Sequence, residues 1–526
     1  MNTALLKNLC LTFFFTGLLF IGLTIYSDYG VHTDEYNNQN FGNSNLQYIQ
    51  KIISHHSLTK IRPLNINNHN SSHGAIIETL LSLLSESLHL KDSRDVILFR
   101  HLCCYLIFLG GVFFFYKLCS VYFKNWLFGL LGCLLLVLSP PIFANAFYNT
   151  SDISFLSSYI LCMYTFHRWI ERKSTVNTLI HALACALSIG IRPIGMIIPF
   201  ISMAFIVHDT LADRSAQSIK DKCVNFCSYA FLLIFFILCT WPILWPHPLI
   251  RLDKLIQYNL NCEVYWKIHN LYLGKVLFTQ HLPWHYAPLW LVITTPLIYT
   301  FYFMIGLIES VRILLNRSNL IPRRNIIFII ACFLLPIIIT EGKVYNGWRH
   351  LFFIYPAYLL ISLLGLSSSW RWLSSKLSGL SRVITQTLLS LILSICLLST
   401  AYFMFSHHPF QYLYFNKLAG TDMQKIQHNF DLDYWGLSYK QALEHILSKN
   451  PDQIILLEDF GHLSRNLKII PLKDRLRVKL VPMNEAQFLV TKYIVRQNDL
   501  SLDLDDKISI DGASLIKIYK LHPNQK

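Results

Sequence analysis

The strongest constraint on this chain is its series of apolar stretches, each about long enough to cross a bilayer. A helix rises 1.5 Å per residue, so spanning the hydrocarbon core takes about 20 apolar residues. Eleven stretches meet or approach that length once short and paired helices are allowed: 9–27, 96–116, 126–143, 153–169, 176–191, 194–208, 228–246, 288–310, 325–340, 348–366 and 383–404. Hydrophobic residues make up 53% of the 526 and charged residues only 14%, where soluble domains carry about a quarter. The first stretch follows Lys7, as in a signal peptide, but Tyr26-Ser27-Asp28 is a poor small-residue cleavage site. It reads as a retained first helix, and the chain as an all-α polytopic membrane protein of about eleven spans.

A formal charge of +15 invites a nucleic-acid reading, yet the basic residues follow topology. With the N-terminus inside, the cytoplasmic gaps hold Lys117 and Lys124; Arg168, Arg172 and Lys173; Arg214, Lys220 and Lys222; Arg312, Arg317, Arg323 and Arg324; Arg371, Lys376 and Arg382. The short outside loops are nearly free of Lys and Arg, with Arg192, Lys343 and Arg349 the exceptions. This is the positive-inside bias, and nucleic acid is not an expected partner. Most of the 13 cysteines sit inside apolar spans, as small core hydrophobes do. Cys262 stands in a long outside loop without an obvious partner, and Cys223 and Cys227 have no nearby His or Cys pair to complete a metal site.

Two outside loops are long, at about 28–95 and 246–287, the second dense in aromatics and His, including Tyr258, Tyr265, Trp266, His285 and Tyr286. Such side chains favour the headgroup zone. The membrane domain then covers 1–405. Past it, residues 406–526 lose the membrane pattern: short β-like runs at 453–457, 477–481, 488–494 and 514–519 alternate with polar and helix-like stretches. They predict a small soluble α/β domain on the same side as the first loop.

The first loop opens with His32-Thr33-Asp34-Glu35-Tyr36, two adjacent carboxylates a few residues from the membrane face. One reading makes a carboxylate there the general base for an acceptor that attacks a sugar's anomeric carbon, with a lipid phosphate leaving unprotonated. The other is a solvated loop start. Asp152 begins the fourth span, where it can cap the helix, serve a site, or both. Phosphate binding needs cations, and Arg192, Arg349 with His350, and Lys60 with Arg62 lie outside. An Arg held near the apolar core is a candidate phosphate fork, or else snorkels to outer-leaflet headgroups.

Several phrases together resemble the GT-C glycosyltransferases, in particular the protein O-mannosyltransferase and aminoarabinose-transferase branch (glycosyltransferase family 39-like). They are the Asp34-Glu35 pair, Ser139-Pro-Pro-Ile-Phe-Ala-Asn-Ala-Phe-Tyr-Asn-Thr-Ser-Asp152, Arg192-Pro-Ile-Gly195 and Leu282-Pro-Trp-His-Tyr-Ala-Pro-Leu-Trp290. Tyr345-Asn-Gly-Trp-Arg-His-Leu-Phe-Phe-Ile-Tyr-Pro356, His408-Pro-Phe-Gln-Tyr-Leu-Tyr-Phe-Asn416 and Asp433-Tyr-Trp-Gly-Leu-Ser-Tyr439 look like a bacterial-type subgroup. The resemblance implies a transferase that takes a sugar from a polyprenyl-phosphate carrier on the non-cytoplasmic face of a bacterial inner membrane. Its acceptor would be a lipid, a polysaccharide or a protein. It implies Asp34 as base, Glu35 beside it, and substrate binding by Asp152, Arg192, His285, Tyr286, Tyr345, Arg349 and His350. No cofactor is expected and no metal site is assigned, although some GT-C relatives use a divalent ion near their acidic motif. Ser151 stands where many relatives have Lys, and Gly74-Ala75 where many have Gly-Pro; without that Lys, another cation must hold carrier phosphate.

The expected cleft is formed by the first, second and fourth outside loops, and the single displacement inverts the anomeric centre. Two other classes fit the composition: a transporter or flippase of lipid-linked saccharides, and a non-catalytic envelope scaffold. Few ionisable residues lie deep in the spans, where transport coupling sites usually sit. Loss of a chemical step on removing the Asp34 carboxylate, with binding kept, separates the transferase from both.

Overall fold

The computed structural model describes residues 3–55, 64, 74–212, 216–260, 268–316, 320–341, 344–451, 453–458, 461–492 and 503–521. Lys60, Arg62, Cys262, Tyr265, Trp266, Lys343 and the end of the predicted 488–494 strand lie outside them.

The helical part runs α1 (Thr3–Ile25), α2 (Thr33–His55), α3 (Ile76–Ser87), α4 (Ser93–Tyr122), α5 (Trp126–Val137), α6 (Pro140–Tyr148), α7 (Thr150–Glu171) and α8 (Thr175–Ile189). It continues through α9 (Ile197–Ala212), α10 (Ala216–Thr240), α11 (Pro248–Leu260), α12 (Tyr286–Ile293), α13 (Leu297–Leu315), α14 (Leu320–Ile339), α15 (Tyr355–Lys376) and α16 (Gly379–Ser406). Each predicted span falls mainly on helix, but 288–310 is broken at 294–296 between α12 and α13, and 228–246 outruns α10. Among the described residues, six helices are long and apolar enough to cross a membrane, or seven if α5 and α6, bent by 73°, form one broken span. The remaining stretches are shorter, as α8 and α9 are, or more polar, as α7 is with its Ser, Tyr and His side chains. The chain is a multi-pass membrane protein.

Burial separates two kinds of helix. In α1 and α10 only 11% of the most apolar window is buried, so Phe13, Phe20 and Phe231 point away from protein, as lipid-facing residues do. The window within Arg349–Lys376 is 78% buried and forms the middle of the bundle. There, α13 and α15 cross at backbone contact. A Cβ on Gly306 would lie 1.9 Å from the Ile361 carbonyl oxygen, and one on Gly365 would lie 2.0 Å from that of Tyr302. Small residues permit this approach, which gains dispersion where lipid offers no hydrophobic drive.

The tail forms a five-stranded sheet of order β4-β3-β5-β7-β6 from β3 (Ile455–Glu458), β4 (Val478–Val481), β5 (Phe488–Lys492), β6 (Asp503–Ile510) and β7 (Ala513–Lys520). A separate hairpin of β1 (His269–Tyr272) and β2 (Lys275–Phe278) lies in the loop before α12. In the larger sheet β3 pairs parallel with β4 and β5, and β7 pairs antiparallel with β5 and β6. The β6–β7 turn is Asp511-Gly512, both at positive φ, as a two-residue hairpin requires. Four of the five strands coincide with predicted runs; β6 is too charged to have been read as one. The sheet's own core draws on Tyr439, Leu443, Ile446, Leu457, Ile516 and Ile518. Leu413, Phe430, Trp435 and Leu437, although past residue 406, pack instead into the core of the helical bundle.

Candidate active site

Asp34 and Glu35 lie in the first turn of α2, where the helix dipole favours carboxylates. The Asp34 backbone N–H donates to His32 Nδ1 at 3.1 Å. Their side chains then part. Glu35 is 2% exposed and meets His101 of α4 at 3.3 Å. Burial opposes its charge, but His101, with help from His32 and Arg100, holds its carboxyl below the usual range. Asp34 turns the other way, to Arg349.

Arg349 bridges two carboxylates. One end of its guanidinium donates to Asp34 Oδ2 at 3.3 Å and the other to Asp152 Oδ2 at 3.1 Å. Arg192 donates to the second oxygen of Asp152. The result is a chain Asp34–Arg349–Asp152–Arg192 with balanced formal charge. Its exposure is graded: the side chains of Asp152 and Arg349 are 1% and 5% exposed, but that of Asp34 is 32%. Asp34 is therefore the accessible end of a buried ionic network.

Each member is placed by local chemistry. Asp152 is the third residue of α7, and of the roles left open for it the cap falls to Asn149: the Asn149 side chain accepts from the Asp152 N–H at 3.0 Å and donates to its carboxylate at 2.8 Å. The carboxylate is thereby left for the two arginines. Arg192 follows the end of α8 and precedes the 3₁₀ turn Pro193–Met196. That turn is pinned to the first loop at Gly74, whose N–H reaches the Ile191 carbonyl at 3.2 Å. A Cβ on Gly74 would lie 1.7 Å from the Gly190 carbonyl oxygen, so only glycine fits. Ser151, in place of the relatives' Lys, accepts from the Asn38 side chain at 3.0 Å and ties α2 to α7.

Arg349 opens the 3₁₀ turn Arg349–Ile354. Its guanidinium lies 4.7 Å from the Trp435 ring centre and 5.3 Å from that of Tyr345, both within cation–π range. Burial pushes the Tyr345 hydroxyl up. The His350 ring packs at 4.5 Å on Tyr345. Tyr286 stands one step back: its hydroxyl accepts from the Gly347 N–H at 3.1 Å and so braces the Arg349 turn. His285 meets the Tyr272 hydroxyl at 2.7 Å, within the loop rather than at the carboxylate–arginine chain.

The cluster thus joins the first, second, third and fifth outside loops, with the fourth as a brace, where a cleft of the first, second and fourth was expected. The third and fifth loops are too short for hydropathy to single out, and only their arginines gave them away. Three groups escaped sequence reasoning. Trp435 packs against His32, ring centres 4.6 Å apart and planes tilted by 33°, and also against Arg349; it sat within a phrase of the resemblance but was given no role. His101 looked like one more residue of an apolar span. Glu78 pairs with Arg100 and accepts from Thr150, and a loop carboxylate has no sequence signature for that. Among the described residues no three His, Cys, Asp or Glu side chains group so as to hold a metal ion.

No protein-family model and no curated protein matches the sequence. Among solved structures, the fold is similar to that of ArnT from Cupriavidus metallidurans bound to undecaprenyl phosphate, with TM-score 0.48 and 11% identity over 96% of this chain and 97% of that one. It is also similar to the Archaeoglobus fulgidus oligosaccharyltransferase in the apo form, with TM-score 0.47 and 11% identity over 91% of this chain and 70% of that one. The oligosaccharyltransferase AglB of the same archaeon, in complex with an inhibitory peptide and a dolichol-phosphate, gives TM-score 0.47 at 10% identity, over 91% of this chain and 69% of that one. These neighbours are glycosyltransferases of the GT-C fold.

Proposed function

We propose that this protein is a membrane glycosyltransferase that moves a sugar from a polyprenyl-phosphate carrier to a lipid, polysaccharide or protein acceptor on the non-cytoplasmic face, most simply that of a bacterial inner membrane. The observation that carries this reading is the Asp34–Arg349–Asp152–Arg192 chain, in which one partly exposed carboxylate ends a buried network holding two fixed guanidinium groups.

In the reaction the acceptor oxygen forms a bond to the anomeric carbon as the bond from that carbon to the phosphate oxygen breaks. The acceptor proton passes to Asp34, and the lipid phosphate leaves with one more negative charge than it had as a diester. Displacement in a single step inverts the anomeric centre. Arg349, helped by Arg192, meets the charge that develops on the leaving phosphate, where preorganised donors contribute most. Asp152 fixes both arginines, and Glu35 and His101 fix the start of α2.

The network also links binding to basicity. A carboxylate bonded to an arginine is a poor base, because the cation favours its charged form. Donor phosphate that takes the guanidinium edge now bonded to Asp34 frees that carboxylate to accept a proton only when a donor is present.

The test is mass spectrometry of lipid-linked sugars and surface glycans in source cells carrying wild type or Asp34→Asn at equal protein levels. A polyprenyl-phosphate sugar that accumulates while one glycan loses a residue is the expected result, and it names both substrates. Unchanged pools overturn the assignment and favour a transporter or a scaffold.

A further inference from the structure

The tail past residue 406, whose sheet has a core of its own, reaches back into the first loop at the segment that leads into Asp34. Val31 lies outside helix and strand, just before α2, so its buried N–H and C=O need partners from elsewhere. Asn466, in the short helix Gly461–Leu467 and 0% exposed, supplies them. Its side-chain oxygen accepts from the Val31 N–H at 2.8 Å. Its amide nitrogen faces the carbonyl oxygens of Val31 at 3.2 Å and of Gly436 and His462 at 3.0 Å. A flipped amide would set its NH₂ against the Val31 N–H, so the network fixes its orientation.

The neighbouring residues are held from the same side. A Cβ on Gly30 would lie 2.1 Å from the Leu437 carbonyl oxygen, so the two backbones touch. The His32 ring, which accepts from the Asp34 N–H, packs on Trp435. The Thr33 hydroxyl meets His462 Nδ1 at 3.2 Å. Trp435 also lies against the Arg349 guanidinium, so one side chain of the tail touches both the start of α2 and the arginine that Asp34 meets. The stretch after the short helix is fastened to α4: Ser93 donates to the Lys468 carbonyl at 3.0 Å, Arg475 pairs with Asp92, and Ile469 packs with Val31, Ile97 and Leu98. Docking a domain for stability asks for contacts like these last ones. It does not ask that four successive residues leading into Asp34 each meet a different tail residue.

We infer that Asn466 is a positioning residue: through Val31 it sets the start of α2 and hence the aim of the Asp34 carboxylate, which makes the tail part of the active-site framework. The positioning role rests on the reading of Asp34 as base given above; the clamp on Val31 does not. Val31 is three residues before Asp34, and a misplacement of about 1 Å at a reacting group costs on the order of 100-fold in rate. Donor phosphate is met by Arg349 and Arg192, which Asp152 holds independently of the clamp.

Full-length protein in nanodiscs is compared as wild type, Asn466→Ala, Asp34→Asn and the double variant. Hydrogen–deuterium exchange with mass spectrometry reads the clamp without activity. Asn466→Ala should speed exchange at least about tenfold in peptides covering Val31–Glu35 and leave those of α4 as in wild type. Single-turnover transfer, with the lipid-linked sugar and acceptor named by the cell experiment, should fall about 10- to 100-fold while undecaprenyl phosphate affinity stays within about twofold. In the Asp34→Asn background the same substitution should cost less than about twofold, because groups that act through one another are not additive. A residue that only holds the fold together lowers both backgrounds alike. Thr33→Val removes one contact with the tail and leaves Asn466 fully paired; it should slow transfer about two- to fivefold at wild-type stability. Unchanged exchange in Asn466→Ala overturns the clamp. Faster exchange with wild-type transfer, or equal losses in both backgrounds, overturns the positioning role and leaves the transferase reading in place. If Asn466→Ala does not fold, wild-type transfer by Thr33→Val overturns the role instead. Faster exchange in a protein whose Asp34→Asn form transfers like wild type keeps the clamp but removes the transferase reading, and the positioning role with it.

Discussion

Replacing Asp34 by Asn separates chemistry from architecture, and the structure supplies both magnitudes. The amide is nearly isosteric, and its oxygen can still accept from Arg349 at the 3.3 Å seen for the carboxylate. Asp34 is about a third exposed, so the ion pair it loses is screened and worth about 0–1 kcal/mol. Arg349 keeps Asp152 and the faces of Trp435 and Tyr345, so the buried network survives. An amide cannot take the acceptor proton, and losing a general base costs about 10²–10⁴ in rate, or about 3–5 kcal/mol of barrier. The expected result is thus a thermal midpoint near wild type, undecaprenyl phosphate binding retained, and transfer down by at least about 100-fold. Single-turnover transfer from radiolabelled lipid-linked sugar, with the acceptor named by the cell experiment, reads the rate. Wild-type turnover refutes the reasoning. So does a large loss of stability with proportionate loss of activity, because Asp34 would then be structural.

Arg349→Lys keeps the charge but cannot bridge Asp34 and Asp152 with a planar fork; undecaprenyl phosphate binding should weaken about tenfold, and unchanged affinity argues against a phosphate role. Gly74→Ala drives a Cβ onto the Gly190 backbone, so stability should fall by about 1–3 kcal/mol, with Arg192 displaced and transfer reduced; thermal melts that match wild type would contradict the packing. His462 is held neutral mainly by burial, which takes its pKa from 6.5 down to about 4. The unfolded chain takes up that proton first, so the contribution is complete above about pH 6.5 and is lost as pH falls towards 4, by at most about 3 kcal/mol. His462→Gln should flatten this part of the stability–pH curve in thermal melts, and an unaltered slope would show that other groups set it.

The helices and the candidate cluster were legible to different degrees for physical reasons. Spans are written in composition, since about 20 apolar residues in a row have few alternatives, and all eleven stretches are mainly helical, with breaks such as that at 294–296. How many cross a membrane is less plain, because buried helices such as α7 trade apolarity for internal polar contacts. Asp34, Asp152, Arg192 and Arg349 stood out as charges at apolar borders, and the structure brings all four together. Their pairing was not legible: Arg349 and Asp34 are 315 residues apart, and nothing local encodes such a contact. Glu35 illustrates the limit at single-residue scale. Successive residues on a helix point about 100° apart, so adjacent carboxylates in the first turn of α2 face different neighbours, one His101 and the other Arg349.

That divergence bears on why the motif holds two carboxylates. A single Asp at the end of a freely pivoting loop would pair with whichever cation came nearest and lose its aim. Glu35, buried against His101, anchors the first turn of α2 to α4, and Asn38 anchors the next turn to α7. With both contacts made, the direction of Asp34 is set by the helix rather than by its partner. Arg349 is fixed independently, by Asp152 on one side and Trp435 on its face. The weakest link in the chain is therefore the longest and most exposed one, between Asp34 and Arg349. An incoming phosphate can break that contact without disturbing either anchor. In the proposed reaction this is the contact that must open, so that the leaving phosphate takes the guanidinium edge now held by Asp34 while the arginine stays fixed and the carboxylate stays aimed at the acceptor.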